Sequence, residues 1–306
     1  MNDHVTISLV QLFEMFPDGE SARKYLESRL WPQGVRCPEC KHSERITVRK
    51  GGYYRCNPCQ LDFTIRTGTI FERSHVPLHK WIYAMYLLVT ARKGISSLQL
   101  AKELGVTQKS AWFMLHRLRE AIGKDLEKLR GEVEIDETFV GGLESNKHAS
   151  QKQNLGRGAV GKTAVLGMRE RGGRTKAMPI EAVSIEDVQT AIYRHVAVGS
   201  TLYTDEHAAY SNLDGLFFKQ ERVNHSANEY VRGMASTNSI ESVWAVFKRG
   251  LKGVYHQTSK KHLKRYVNEF VFRLNAGNVK RHTLERLNSF IDAVVGTRIT
   301  YEGLTA

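Results

Sequence analysis

Residues 132–142 read EVEIDETFVGG, and this stretch decides the fold of the second half of the chain. Apolar Val133 and Ile135 alternate with acidic Glu134 and Asp136, so the apolar pair faces one side of a strand and the acids face the other. A pair of glycines then ends the strand. The pattern predicts a β-strand that presents carboxylates opposite its apolar face.

The segments that follow have the hydrophobic patterns of a mixed α/β sheet. They predict a hairpin, a helix, a short strand and a further helix, which span residues 163–183, 185–195, 201–205 and 238–248. The short strand ends on Asp205, and the last helix carries Glu241 at the edge of its apolar stripe. A mixed sheet of this kind can bring strand-borne acids together, and a helix packed beside it can add a third.

Carboxylate oxygens are the ligands that Mg²⁺ and Mn²⁺ prefer. Asp136, Asp205 and Glu241 are therefore candidate metal ligands, and two ions about 3.5–4 Å apart would serve phosphoryl transfer. The spacing alone is weak support, because the chain contains 32 Asp and Glu residues. Neighbouring acids could be no more than solvated surface charges, namely Glu134, Glu137 and Glu206.

All four cysteines of the chain lie between positions 37 and 59, in a C-x2-C-x15-C-x2-C pattern. Two residues between paired cysteines let both sulfurs reach one ion, so the spacing predicts a four-thiolate zinc site. The ion would be structural, because four thiolates leave no open position. Two disulfides are the alternative, which a reducing cytosol disfavours. The predicted ligands are Cys37, Cys40, Cys56 and Cys59.

Residues 96–122 have the pattern of a helix-turn-helix. Two apolar stripes of helical spacing are joined by a short turn at Gly105, and Thr107 is placed to cap the second helix. The second helix of such a pair can enter the major groove of DNA. An ordinary helical hairpin is the alternative. The polar residues assigned to the other faces of the second helix are Gln108, Lys109, His116, Arg117 and Arg119.

The chain is strongly basic, with 45 Lys and Arg residues against 32 Asp and Glu and a formal net charge of +13. This excess indicates a polyanionic partner, although charge alone does not separate DNA, RNA and a membrane surface. Membrane insertion is not expected, because the longest apolar stretch, residues 81–89, is far shorter than the span of about 20 residues that a bilayer requires. No signal peptide is evident at the N-terminus, so a cytosolic protein is expected.

Several short motifs occur in a fixed order along the chain. They are FP at 16–17, YL at 25–26, TGTIFE at 67–72, PLHKW at 77–81, EIDET at 134–138, NKH at 146–148, GRG at 156–158, GKT at 161–163, YTD at 203–205 and NSIESVW at 238–244. This ordered set resembles the bacterial insertion-sequence transposases of the zinc-ribbon, DDE-type group often called ISXO-like. The resemblance covers nearly the whole chain.

The resemblance implies a multi-domain α/β protein. An N-terminal helical segment and zinc ribbon would occupy residues 1–75, and a helical region with the helix-turn-helix would occupy residues 76–125. Residues 126–306 would form an RNase H-like mixed-sheet catalytic domain with C-terminal helices. The resemblance also implies that Asp136, Asp205 and Glu241 are the catalytic acidic triad. Their cofactor would be two Mg²⁺ or Mn²⁺ ions.

The implied function is metal-dependent cleavage and strand transfer of the DNA ends of an insertion sequence. The ribbon and helix-turn-helix would bind the terminal inverted repeats, and a homodimer or larger synaptic complex would hold two ends together. The resemblance implies a cytoplasmic, nucleoid-associated bacterial protein that makes no contact with membranes. Two alternatives remain open: a non-catalytic DNA-binding regulator, and an RNase H-like nuclease without strand transfer.

Two basic stretches are candidate DNA-binding segments, since Lys and Arg neutralise phosphates. Residues 145–180 hold eight Lys or Arg and one acid, and a solvated flexible loop is the alternative. In the second stretch, residues 244–265, the aromatic side chains are better suited to a core than to stacking on bases. His225 could contact a scissile phosphate or serve a local structural role. The candidate DNA contacts are Lys109, Arg117, Lys147, Arg157, Lys162, Lys248 and Arg249.

Overall fold

The computed structural model describes residues 6–123, 127–142, 148–152, 161–211, 213, 215, 217–222, 237–296 and 298–305. The described helices are α1 Leu9–Met15, α2 Gly19–Leu30, α3 Leu78–Thr90, α4 Ser97–Leu104, α5 Gln108–Ala121, α6 Ile185–His195, α7 Asn238–Gly250, α8 Lys260–Leu274, α9 Thr283–Asp292 and α10 Tyr301–Thr305. The described strands are β1 Ile46–Arg49, β2 Tyr53–Cys56, β3 Asp62–Phe63, β4 Glu132–Val140, β5 Thr163–Glu170, β6 Thr175–Ile180, β7 Thr201–Thr204 and β8 Lys219–Arg222. Among these helices, none is long and apolar enough to cross a membrane.

The chain divides into two compact units. The first contains residues 1–124 together with 276–306, and the second contains residues 125–275. The sequence-based domain scheme placed the C-terminal helices with the catalytic domain, whereas residues 276–306 cluster with the N-terminal unit. The sequence shows that a helix has an apolar stripe, but it does not show which other element packs against that stripe.

The first unit contains a ribbon whose strands pair antiparallel in the order β1-β2-β3. Its small core holds Cys37 and Cys56 together with Tyr54 and Phe63, and Trp31 packs against their rings. A core of this size buries too little apolar surface to stabilise a fold by itself, so a metal ion is the usual supplement.

Helix α9 packs against α2 and α3 within the first unit. Leu287, Phe290 and Ile291 on its inner face are fully buried. Two polar contacts join it to α2: Tyr25 Oη donates to Asn288 Oδ1 at 2.5 Å, and Arg29 pairs with Asp292 at 2.7 Å. These contacts explain why the end of the chain belongs with its beginning.

The second unit is built on a five-stranded sheet in the order β6-β5-β4-β7-β8. Strand β5 pairs antiparallel with both β6 and β4, whereas β7 pairs parallel with both β4 and β8. This arrangement is the predicted RNase H-like mixed sheet. Strand β8 was not predicted, because it is a polar edge strand without apolar alternation.

Both faces of the sheet are covered by helices. Val188 and Ile192 of α6 pack on one face, where they join Val133 and Ile135 of β4. The other face is covered by α7 and α8, which contribute a second apolar cluster: Ile240, Val243, Trp244, Phe247, Leu263, Val267 and Phe270. The aromatic side chains of α7 therefore form core, as the sequence favoured, and the acids of β4 point toward a covered face.

Candidate active site

Asp136 lies in the middle of β4, and Asp205 directly follows the end of β7, the neighbouring parallel strand. The pairing of β4 with β7 extends to Glu134 opposite Tyr203. Because parallel strands keep their register, two further residues bring the chain to Asp136 on one strand and Asp205 just beyond the other. Asp205 is half-buried, and its Oδ1 accepts a hydrogen bond of 2.9 Å from the backbone N–H of His207.

Glu241 lies in the first turn of α7, which packs on β4 and β5. Its backbone N–H donates to the carbonyl of Thr237 at 3.1 Å, and its Oε1 accepts from the Thr237 hydroxyl at 3.0 Å. Thr237 is buried, whereas Glu241 is exposed. The helix thus holds Glu241 at its N-terminal end with an open side toward solvent.

Burial and neighbouring acids both shift the pKa of Asp136. Burial raises the pKa of Asp136 to about 7, and the negative charges of Glu137, Asp205 and Glu241 contribute to that rise. Charge–charge effects of this kind fall off with distance. The structure therefore brings Asp205 and Glu241 into electrostatic range of Asp136, together with a fourth carboxylate, Glu137.

The fourth acid is bonded to a residue that the sequence analysis did not single out. The hydroxyl of Tyr210 donates a hydrogen bond to Oε2 of Glu137. Tyr210 is fully buried, and burial together with the charge of Glu137 holds the pKa of this phenol well above its usual range. Tyr210 is therefore a neutral donor that fixes Glu137. A lone tyrosine after a strand carries no sequence signal for this role.

The donor set of the acidic site suits a hard divalent cation. Carboxylates at close quarters repel each other, and a cation relieves that repulsion. Within the described parts of the chain, however, only the cysteines gather three or more potential ligands tightly enough to hold an ion. Asp136, Asp205 and Glu241 therefore interact electrostatically without forming a closed ligand sphere of their own.

The four cysteines form a compact thiol cluster. Their Sγ atoms all lie within 4.8 Å of one another, with Cys37 and Cys59 separated by 3.6 Å and Cys40 and Cys56 by 3.5 Å. No disulfide links them. Four sulfurs at these separations fit around one tetrahedral Zn²⁺, so the predicted ligand set is brought together and supports a structural zinc ion.

Comparison with known proteins places these features in a family. Residues 128–275 match the model described as ISXO2-like transposase domain, and residues 17–62 match the transposase zinc-ribbon domain. A protein of Halobacterium salinarum, described as an uncharacterized protein in transposable element ISH50, is 32% identical over 273 residues, which are 84% of this chain and 91% of that protein. The chain belongs to the ISXO2-like transposase family.

Two solved structures are distantly similar to this family member. The simian T-cell lymphotropic virus intasome in complex with PP2A regulatory subunit B56 gamma gives a TM-score of 0.28 and 14% identity. That match covers 65% of this chain and 66% of the other, just under two thirds of its length. The Mos1 strand transfer complex gives a TM-score of 0.28 and 13% identity, over 72% and 79% of the two chains. At such scores the likeness adds nothing to the fold that the strand order shows.

The predicted DNA contacts of this transposase fall into three groups. Lys109, Lys248 and Arg249 are exposed, and Lys162 is half-buried just before β5. Arg117 is buried. Lys147 and Arg157 lie outside the described residues. So does His225, which was considered as a contact of the scissile phosphate.

The burial of Arg117 corrects the sequence-based interpretation of α5. Its Nη1 donates to the carbonyls of Ile70 at 2.6 Å and Glu72 at 2.9 Å, so the guanidinium fastens a loop of the first unit. His116 and Arg119, also expected on open faces, are buried as well. Only the beginning of α5, at Gln108 and Lys109, is fully exposed along this helix.

Two helix caps support the predicted turn before α5. Gly105 adopts φ +59°, a left-handed conformation that ends α4, and the Thr107 hydroxyl accepts from the backbone N–H of Ser110 at 3.1 Å. The turn chemistry was therefore predictable from the sequence. In helix-turn-helix proteins the N-terminal residues of the second helix contact base edges, and Lys109 occupies that part of α5.

Proposed function

We propose that this protein catalyses metal-dependent cleavage and strand transfer of the DNA ends of an insertion sequence. One observation carries the proposal: Asp136, Asp205 and Glu241 come from two parallel strands and one helix, and the charges of Asp205 and Glu241 both raise the pKa of Asp136. A cluster of carboxylates gathered from two strands and a helix has no evident role in stability, because mutual repulsion costs free energy.

The three acids would hold Mg²⁺ or Mn²⁺, which when bound supplies Lewis acidity toward the scissile phosphodiester. Asp136 would release its proton on loading and present a full negative charge. Asp205 reaches the site from the adjacent strand end, with its orientation fixed by the His207 N–H. Glu241 approaches from the open side of α7, and Tyr210 keeps Glu137 in place as a nearby negative charge.

The exposed face of α7 supports DNA binding close to these acids. Lys248 follows Glu241 by seven residues, which places both side chains on the same face of the helix about 10 Å apart along its axis. Arg249 and Lys252 are also exposed. Cations in this arrangement would bind backbone phosphates on one side of the scissile bond, with little sequence preference.

We further propose that the zinc ribbon and the α4–α5 pair bind the terminal inverted repeats, with Lys109 at the DNA. Two ends must be joined in one reaction, so a homodimer or a larger synaptic complex is the proposed assembly. The proposed substrate is double-stranded DNA, both the element ends and the target, and the proposed location is accordingly the nucleoid within the cytoplasm.

A strand-joining assay tests the proposal. Purified protein would be incubated with Mg²⁺, a labelled duplex carrying the element's own end and a supercoiled target plasmid. Wild type should nick the end and join it to the plasmid, whereas Asp205→Asn should do neither while binding the end with unchanged affinity. A reaction without Mg²⁺ or Mn²⁺ should match the variant. Glu181→Gln, an exposed acid of the same unit, is the matched control and should remain active.

The outcomes separate the remaining candidates. Cleavage without joining would indicate a nuclease and remove the strand-transfer claim. Binding of the end without cleavage in either Mg²⁺ or Mn²⁺ would indicate a non-catalytic DNA-binding regulator and overturn the enzyme claim.

A further inference from the structure

Glu134 is an acid of β4 that lies inside the protein. The residue is 2% exposed, although the sequence allowed a solvated surface charge. Its Oε2 accepts three hydrogen bonds: 3.0 Å from the backbone N–H of Ser239, 2.6 Å from the Ser239 hydroxyl and 3.1 Å from the backbone N–H of Ile240. All three donors belong to the first turn of α7, more than a hundred residues later in the chain.

Helix α7 receives no cap from its own N-terminal residue. Thr237 occupies the N-cap position and makes no capping bond with its side chain, and its hydroxyl donates to Oε1 of Glu241. The first N–H groups of a helix need an outside acceptor, and a carboxylate there is further stabilised by the helix dipole. Glu134 supplies that acceptor from the neighbouring strand.

A buried carboxylate must also be compensated electrically. Arg171 donates from Nε to Oε1 of Glu134 at 3.1 Å and from Nη1 to Oε2 of Glu132 at 3.1 Å. Its guanidinium stacks over the ring of Tyr203, with the central carbon 3.8 Å from the ring centroid. Glu134 is thus held from one side by Arg171 and offers its other oxygen to α7. Such an arrangement fixes the direction of the carboxylate.

The placement of Glu134 links two parts of the acidic site. It lies two residues before Asp136 on the same face of β4. The residues that it binds, Ser239 and Ile240, directly precede Glu241. We propose that Glu134 is a positioning residue that sets the place of Glu241 relative to Asp136, an inference that rests on the proposed function of these acids. Strand β4 then carries both Asp136, a proposed metal ligand, and Glu134, which holds the helix that bears Glu241.

Glu134→Gln and Glu132→Gln form a matched pair of variants. Both remove one negative charge from the same strand and from the same arginine, but only Glu134 contacts α7. The carboxylate of Glu134 accepts from Arg171 with one oxygen and from three donors of α7 with the other. The amide of Glu134→Gln has only one oxygen and cannot accept from both sides. Mg²⁺-dependent cleavage should fall by about 10–100-fold, the usual effect of losing an outer-shell partner. Glu132→Gln should stay within about twofold of wild type, since the Glu132 side chain is 43% exposed and an ion pair at the surface contributes little.

Amide hydrogen exchange gives a readout that does not need activity. Without added metal, exchange over residues 237–245 should be faster in Glu134→Gln than in wild type and unchanged in Glu132→Gln. Ser239→Ala removes only the hydroxyl donor and leaves Arg171 untouched. It should shift both exchange and cleavage in the same direction by a smaller amount, which keeps the inference testable if Glu134→Gln folds poorly.

Combination with Glu241→Gln decides whether Glu134 acts through Glu241. If it does, Glu134→Gln should cause no further loss of cleavage in the Glu241→Gln background, because coupled residues are not additive. A role in stability alone would lower the rate by the same factor in both backgrounds and would overturn the inference, as would unchanged exchange over residues 237–245. If wild type does not cleave at all, the proposed function fails, and faster exchange confined to Glu134→Gln would still show that this residue anchors α7.

Discussion

Asp136 lies directly opposite Gly167 in the antiparallel pairing of β4 with β5, and α7 rests on that glycine. A Cβ atom at Gly167 would lie 2.3 Å from Cζ2 of Trp244 and 3.0 Å from Cδ1 of Ile240. Both side chains are buried in the core beneath α7. The close approach of this helix to the sheet therefore depends on the missing side chain beside Asp136.

Gly167→Ala is expected to push α7 away from the sheet. Overpacking of a core typically costs about 1–3 kcal/mol, and the displaced helix carries Glu241. We expect a lower free energy of unfolding and weaker Mg²⁺-dependent cleavage, measured by denaturant unfolding and by the strand-joining assay. Gly142→Ala is the control, because a Cβ at that glycine would meet open space. Equal stability of the two variants would show that α7 does not depend on close contact at Gly167.

The contrast between Asp136 and Glu134 shows what a sequence can predict about such a site. Alternation along β4 assigned both acids to one face, and that assignment requires only the period of a strand. The partners of Glu134 on α7 could not be predicted, because they lie 105 and 106 residues away on a helix whose orientation depends on Gly167. Local patterns thus determine which acids share a face, whereas burial depends on contacts distant in sequence.

Arg117 and strand β8 show two other limits. The apolar stripe of α5 was identified correctly, but a stripe does not tell how much of the remaining surface is covered. The sequence of Lys219–Arg222 has no apolar alternation, because an edge strand with polar side chains pairs through its backbone alone. The main strands and helices of the second unit, in contrast, lie where their hydrophobic periods predicted.

Arg117→Gln is expected to destabilise the first unit rather than to alter DNA contacts. It leaves the carbonyls of Ile70 and Glu72 without the donor that satisfies them, at a cost of about 1–3 kcal/mol for an unsatisfied buried group. Thermal unfolding would measure this loss. Lys109→Gln is the matched comparison: it should leave the melting temperature nearly unchanged, weaken binding to the element's end and reduce the salt dependence of binding by about one phosphate contact.

The reverse result would contradict both assignments. If Arg117→Gln melted like wild type and bound DNA less tightly, Arg117 would have to leave its buried position to reach the duplex. If Lys109→Gln lost stability, its ammonium group, 4.6 Å from the ring centroid of Tyr301, would be acting in packing rather than at the DNA.

Removal of zinc is expected to unfold the ribbon. The wild-type chain should contain about one Zn²⁺ by elemental analysis, as four thiolates complete one tetrahedral site. Cys56→Ser should lose most of that metal, because the sulfur is buried beside the other three. Limited proteolysis would then detect cleavage within residues 31–63. In reducing buffer the wild type should resist this proteolysis. If the metal-free variant resisted it as well, the ribbon core would fold without an ion.

The raised pKa of Asp136 makes the stability of the metal-free protein dependent on pH. Folded Asp136 keeps its proton up to a pH of about 7, whereas the unfolded chain releases it near its ordinary value of 3.8. Between these two values the unfolded state gains from ionisation and the folded state does not, so the stabilisation present below 3.8 is lost as pH rises toward 7. In buffer free of Mg²⁺ and Mn²⁺, Asp136→Asn should therefore become progressively more stable than wild type from pH 5 to pH 7, with a constant difference above that.

Divalent metal should reverse this difference, because a bound cation favours the ionised carboxylate. At pH 8, Mg²⁺ or Mn²⁺ should raise the melting temperature of wild type more than that of Asp136→Asn, and Glu181→Gln should respond as wild type does. A constant difference between Asp136→Asn and wild type from pH 5 to pH 8 in buffer free of Mg²⁺ and Mn²⁺ would show that Asp136 ionises normally. An equal response of both proteins to metal would mean that Asp136 does not bind the ion, and the acids would then be gathered for another purpose.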